Sequence, residues 1–136
     1  MSNALQTVKG NSIVQDLPME LVVSRLKEVF RTAIGMENAV NMEKVWHAVY
    51  GNMQVNKYQA VYFMARISRG MTALKQRSAF FIVGDTKEGM YQWYVLKTGN
   101  ELLRYEQQVD SRIRAFKTMK DKARNHVEQK RWQQIE

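Results

Sequence analysis

Four polar side chains lie close together in the middle of the chain and have the chemistry to read nucleic-acid bases. They are Gln54, Asn56, Lys57 and Gln59. Gln and Asn can pair with adenine through two hydrogen bonds, and Lys can reach guanine or a phosphate. We predict these four as the base-contacting set, against the simpler interpretation of a solvated helix face.

The charge of the chain points in the same direction. Its net charge of +8 attracts polyanions, and residues 41–77 carry six Lys or Arg against one acid. Basic residues in and near this segment are therefore predicted to contact the phosphate backbone of DNA: Lys44, Arg66, Arg69, Lys75, Arg77 and Lys87.

The segment 44–63, KVWHAVYGNMQVNKYQAVYF, meets the spacing demands of a helix-turn-helix. Counted from Lys44, the fifth residue must be small because two helices cross there. The ninth must tolerate a left-handed backbone, and three later positions must be apolar to hold the helices together. The residues at these positions are Ala48, Asn52, Met53, Tyr58 and Val61. The second helix of the pair would carry the base-contacting set.

Two helices are predicted before the base-contacting set. The first begins at an Asp16 cap and ends at Gly35, with apolar residues at three- and four-residue spacing between them. The second is shorter, begins at an Asn41 cap and ends at Gly51.

The third helix begins near Val55 or Asn56 and runs at least to Ile67. Beyond it, the sequence leaves two alternatives open. Either a short new helix is capped by Ser68 or Thr72, or the third helix continues past Gly70.

A β-hairpin and a long helix follow. Two runs of β-branched and aromatic residues flank the loop 84–89, Gly-Asp-Thr-Lys-Glu-Gly, which predicts a hairpin. The terminal helix begins near Thr98 or Asn100 and carries a broken apolar stripe, interrupted by Glu106 and Lys120. The stripe could pack on the first helix of the same chain, but we favour a dimer seam formed by Val109, Ile113, Phe116 and Ala123.

The predicted fold class is therefore mainly α with one β-hairpin (α+β). Its parts are a flexible arm at 1–15, a helix-turn-helix core with a hairpin at 16–97, and a long C-terminal helix at 98–136. Residues 41–97 resemble the winged helix-turn-helix regulators of bacteria, phages and plasmids. That resemblance implies sequence-specific binding to double-stranded DNA as a homodimer, with the hairpin as a wing.

A second placement of the recognition helix is open. RISRGMTALKQR contains another turn-like Ile-Ser-Arg-Gly, which would put the recognition helix at 69–77. Bases would then be read by Arg69, Thr72, Lys75 and Gln76.

Other function classes find less support in the sequence. The chain has no Cys, only two His in separate elements and no Gly-rich phosphate loop, so we predict no enzyme activity, no metal and no cofactor. The absence of Cys and of a long apolar run predicts a cytoplasmic chain with no membrane association. The alternatives to a regulator are a protein-interaction module that binds an acidic host protein, and a non-specific nucleic-acid-binding protein, including one that binds RNA.

Overall fold

The structure, a computed structural model, describes the backbone at residues 5–8, 12–15, 17–77 and 79–135. Residues 1–98 and 99–136 form two compact units. The described residues are mostly helical, with two antiparallel strand pairs, so the predicted α+β class is confirmed. The elements are β1 (Leu5–Val8), β2 (Ser12–Gln15), α1 (Met19–Phe30), α2 (Met42–Tyr50), α3 (Lys57–Arg77), β3 (Ile82–Lys87), β4 (Met90–Val95) and α4 (Gly99–Glu128).

The segment expected to be a flexible arm contains the pair β1 and β2. The two strands are antiparallel, with Leu5 opposite Gln15 and Val8 opposite Ser12. Their sequences, LQTV and SIVQ, are rich in β-branched residues, which favour extended backbone. Asp16, predicted as the cap of the first helix, lies outside the described residues.

Helix α1 ends five residues before the predicted end at Gly35. It begins after Pro18, has Glu20 in its first turn and ends at Phe30. The next residues leave the helix because they pair with β4: the Gly35 amide donates to the Val95 carbonyl over 2.9 Å, and the Val95 amide donates to the Ala33 carbonyl over 2.8 Å. Gly35 itself has a φ of 87°.

Helix α3 is continuous from Lys57 to Arg77. The second placement of the recognition helix, with a turn at 67–70, is therefore wrong. Gly70 lies inside the helix, and its lack of a side chain allows α1 to approach closely there. A Cβ at this position would lie 2.6 Å from Cδ1 of Leu26 and 3.2 Å from Cγ1 of Val22. The glycine that resembled a turn in the sequence is a helix-packing residue.

The core of residues 17–98 lies mainly between α1 and α3. The buried side of α1 consists of Val22, Leu26 and Phe30, and the buried side of α3 consists of Phe63, Ile67, Gly70, Met71 and Leu74. Val45 and Val49 of α2 and Ile82 and Val95 of the hairpin also belong to this cluster.

The hairpin of β3 and β4 is longer than predicted, and its loop is shorter. Strand pairing extends from Ile82 opposite Val95 to Lys87 opposite Met90, so the turn is Glu88–Gly89 rather than all of 84–89. Both turn residues have positive φ (53° and 80°), as a two-residue hairpin turn requires. Asp85, expected in the loop, is a buried strand residue.

Strand β4 also pairs with the connection between α1 and α2. A parallel bridge joins Val95 to Ile34, and an antiparallel bridge joins Trp93 to Val40. The chain order in this part of the fold is therefore helix, short paired segment, helix, helix and hairpin.

The second unit is dominated by α4, whose 30 residues confirm the predicted long terminal helix. None of its residues is buried. Among the described residues, no helix is both long enough and apolar enough to cross a bilayer.

The close approach at Gly70 gives a prediction about stability. Gly70→Leu should lower the free energy of unfolding by roughly 2–3 kcal/mol, because a bulky side chain there must displace Leu26 and Val22. Ala65→Leu, an exposed position of the same helix, should change it by less than about 0.5 kcal/mol. Urea denaturation followed by circular dichroism measures both, and equal effects would contradict the close packing.

Candidate nucleic-acid interface

The connection between α2 and α3 is defined by two local signals. Asn41 caps α2 as predicted, because its side-chain oxygen accepts a hydrogen bond from the Lys44 amide over 2.9 Å. Gly51 ends α2 with a φ of 66°. Asn52, expected to have a left-handed backbone, does not have a positive φ, and the positive φ lies one residue earlier, at Gly51.

Asn56 and Gln59 form a reciprocal cap at the start of α3. The Gln59 amide donates to Oδ1 of Asn56 over 2.8 Å, and the Asn56 amide donates to Oε1 of Gln59 over 3.0 Å. These bonds satisfy two amides that a helix N-terminus leaves without helical partners. Two of the four predicted base-contacting residues thus have a structural role.

The predicted packing roles of Tyr58 and Val61 are wrong. Tyr58 is 84% exposed and Val61 67% exposed. At 100° per residue, both lie on the side of α3 opposite Phe63 and the rest of its buried face, which is what the helical period requires. Val61 and Tyr58 therefore belong to the surface.

Aromatic contacts join α2 to α3 instead. The ring of Phe63 lies 5.1 Å from that of Tyr50 and 6.4 Å from that of Trp46. Met53 packs against the core, as predicted, and is half-buried. Ala48 is also half-buried, but it lines a cleft with Arg25 and Val29 of α1 and so faces α1.

The surface side of α3 carries an apolar and basic stripe that we call the outer face. Its members recur at three- and four-residue spacing: Tyr58, Val61, Tyr62, Ala65 and Arg69. All five are exposed. The i, i+3, i+4, i+7 pattern of the stripe was visible in the sequence, but the phase of the helix, set by its contact with α1, decides which of two apolar stripes is buried.

Helix α3 is also the most one-sided element in charge. It carries five basic residues and no acid between Lys57 and Arg77. Such a helix creates a local positive potential that favours an anionic partner.

The structure divides the predicted backbone-contacting residues into two groups. Three make contacts outside their own helix or strand: Arg66 donates to the Leu17 carbonyl, Lys75 lies 4.6 Å from the centre of the Phe81 ring, and Lys87 donates to the Met36 carbonyl over 3.2 Å. The other three, Lys44, Arg69 and Arg77, are exposed, and Arg77 donates from Nε to the Ala73 carbonyl of its own helix over 3.3 Å. Arg69 lies on the outer face, whereas Lys44 lines the cleft beside α1.

Gln54 and Lys57 are exposed at the entrance to α3. Gln54 lines a groove of about 420 Å³ between α2 and α3. Most of the other groove residues are apolar: Met42, Trp46, Met53, Val55, Ala60 and Met64, with Glu43. Sequence reasoning missed this groove, because methionines at 42, 53 and 64 show their proximity only once the two helices are folded together.

Within residues 17–77 and 79–135, no three His, Asp or Glu side chains come together in a way that could hold a metal ion. Comparison with known proteins found no matching family model, curated protein or solved structure.

The reciprocal cap predicts a stability effect separate from any binding effect. Asn56→Ala should lower the free energy of unfolding by about 1 kcal/mol, because it leaves the Gln59 amide without its partner. Asn56→Ser, which can still cap a helix, should remain near the parent value. Chemical denaturation distinguishes the two variants, and an equally stable alanine variant would show that the cap contributes little.

Proposed function

We propose that this chain is a sequence-specific DNA-binding protein of the winged helix-turn-helix type, acting in the cytoplasm as a dimeric transcriptional regulator. The observation that carries the proposal is the exposed outer face of α3, on a helix with five basic residues and no acid. A helix of this kind fits the width of the DNA major groove.

The chain order supports this assignment. The wing of a winged helix-turn-helix follows the recognition helix, and here α2 and α3 precede the hairpin. Strand β4 of that hairpin also pairs with Ile34 and Val40, ahead of α2. The wing tip is a poor phosphate contact, because Glu88 occupies the turn and Lys87 donates to Met36.

The exposed side chains of α3 and of the residues just before it determine which DNA groups they could contact. Gln54 and Lys57 would read base edges from the N-terminal end of α3, while Arg69 and Arg77 would contact phosphates. Tyr58, together with the other apolar residues of the outer face, would contact thymine methyl groups, which only the major groove presents. Asn56 and Gln59 keep their NH2 groups as donors, although their oxygens cap the helix.

A second candidate function is supported by the groove between α2 and α3. Methionine-rich apolar grooves adapt to protein partners. With the basic charge of α3 beside it, the groove would suit an acidic protein segment that presents an apolar side chain. This candidate predicts that no sequence is enriched from a random duplex library.

The test is selection from a random duplex library at near-physiological salt. We expect one sequence to be enriched. Arg69→Ala should weaken binding to that sequence roughly tenfold, because a phosphate contact is lost. Lys27→Ala is the matched control, because it removes the same charge from an exposed position of α1. Helix α1 packs against the buried side of α3, on the side opposite the outer face. It should weaken binding much less.

Four outcomes separate the alternatives. Enrichment with a selective effect of Arg69→Ala supports the proposal. Binding without enrichment indicates a non-specific nucleic-acid-binding protein, and no binding indicates the protein-interaction function. Equal losses for Arg69→Ala and Lys27→Ala would mean that charge, and not the outer face, determines affinity.

A further inference from the structure

Helix α4 carries a long apolar stripe, and none of the residues of this helix is buried. Leu102, Val109, Phe116 and Ala123 repeat every seven residues, and Tyr105, Ile113 and Met119 lie between them at three- or four-residue spacing. This is the pattern of a helix that pairs with another helix. Ile113 is 58% exposed and Phe116 75% exposed, so the stripe has large side chains available to a partner.

Two charged residues beside this stripe have opposite signs and symmetric positions. Glu106 lies seven residues before Ile113, and Lys120 lies seven residues after it. Two helical turns take close to seven residues, so all three point to the same side of α4. Glu106 and Lys120 are about 21 Å apart along one helix, at 1.5 Å per residue, and cannot contact each other there.

The other charged residues of α4 are distributed in the same way, with acids towards the start of the helix and basic residues after them. Residues 99–110 contain three acids and one basic residue, whereas residues 111–124 contain six basic residues and one acid. A parallel pair would align the basic half with itself. An antiparallel pair aligns the acidic half of each helix with the basic half of the other.

We infer that α4 pairs with α4 of a second copy in antiparallel orientation, with the helices crossing near Ile113. Glu106 of each copy then lies opposite Lys120 of the other, so the dimer contains this ion pair twice. In the same alignment, Phe116 of one copy lies within one residue of the position opposite Val109 of the other. This pairing specifies the geometry of the dimer in the proposed function. It rests on that dimer, but it does not require DNA binding.

Charge reversal tests the pairing in the full-length chain. Glu106→Lys and Lys120→Glu should each raise the dimer dissociation constant roughly tenfold, since two attractive contacts become repulsive in each dimer. The double variant should return close to the parent value, because the antiparallel pair is restored with its signs exchanged. Sedimentation equilibrium at low salt measures all four chains, and the differences should shrink at 1 M salt.

Matched controls come from the opposite side of the helix. Asp121→Lys and Arg114→Glu change the charge by the same amounts, but both residues lie on the side of α4 away from the stripe. They should alter dimerisation little. A double variant as weak as the single variants, or controls as damaging as Glu106→Lys, would overturn the inference.

Distance measurement by pulsed electron spin resonance is an independent test. The chain has no Cys, so Asn100→Cys introduces a unique attachment site for a spin label. The antiparallel dimer predicts about 40 Å between the two labels, whereas a parallel dimer predicts roughly 10 Å between helix axes. A label at Ser111→Cys, near the crossing, should give a short distance in both arrangements and serves as the positive control.

A short distance at position 100, or a chain that stays monomeric at every concentration, would contradict the inference. An antiparallel dimer that enriches no DNA sequence would contradict the proposed function alone.

Discussion

The packing of α1 against α3 at Gly70 determines most of what the rest of the molecule can do. Because glycine has no side chain, Leu26 and Val22 of α1 reach the backbone of α3 at this point. This contact fixes the rotation of α3 about its axis. One side of the helix is buried from Phe63 to Leu74, and the other, from Tyr58 to Arg69, is left at the surface. The proposed DNA-binding surface is thus a consequence of the core.

The sheet and the helix caps complete the frame around α3. Strand β4 pairs with Ile34 and Val40 on either side of the 3-10 turn Met36–Asn38, which ties the start of α2 to the hairpin. At the other end of α2, Gly51 reverses the chain, and the Asn56–Gln59 cap begins α3. Several polar residues that resemble binding residues in the sequence are therefore needed for the fold. The surface available for recognition is, as a result, smaller and more apolar than the composition of the sequence suggests.

The features that could be predicted from the sequence are those set by local chemistry. The Asn41 cap, the end of α2 at Gly51, the hairpin and the long terminal helix each depend on residues within a few positions of one another. The phase of α3 could not be predicted in this way. Two apolar stripes compete along this helix, and the contact with α1, where Leu26 lies 44 residues before Gly70, decides between them.

For the same reason, the roles of several basic residues were not visible in advance. The contacts of Arg66 with Leu17, of Lys75 with Phe81 and of Lys87 with Met36 depend on which elements meet in space. The proposed interface centres on the outer face of α3, and an NMR titration of the labelled chain with a selected duplex tests this most directly. Amide shifts concentrated at Gln54, Lys57 and the outer face are the predicted result. Shifts confined to α1, or to Met42 and Trp46 of α2, would contradict it.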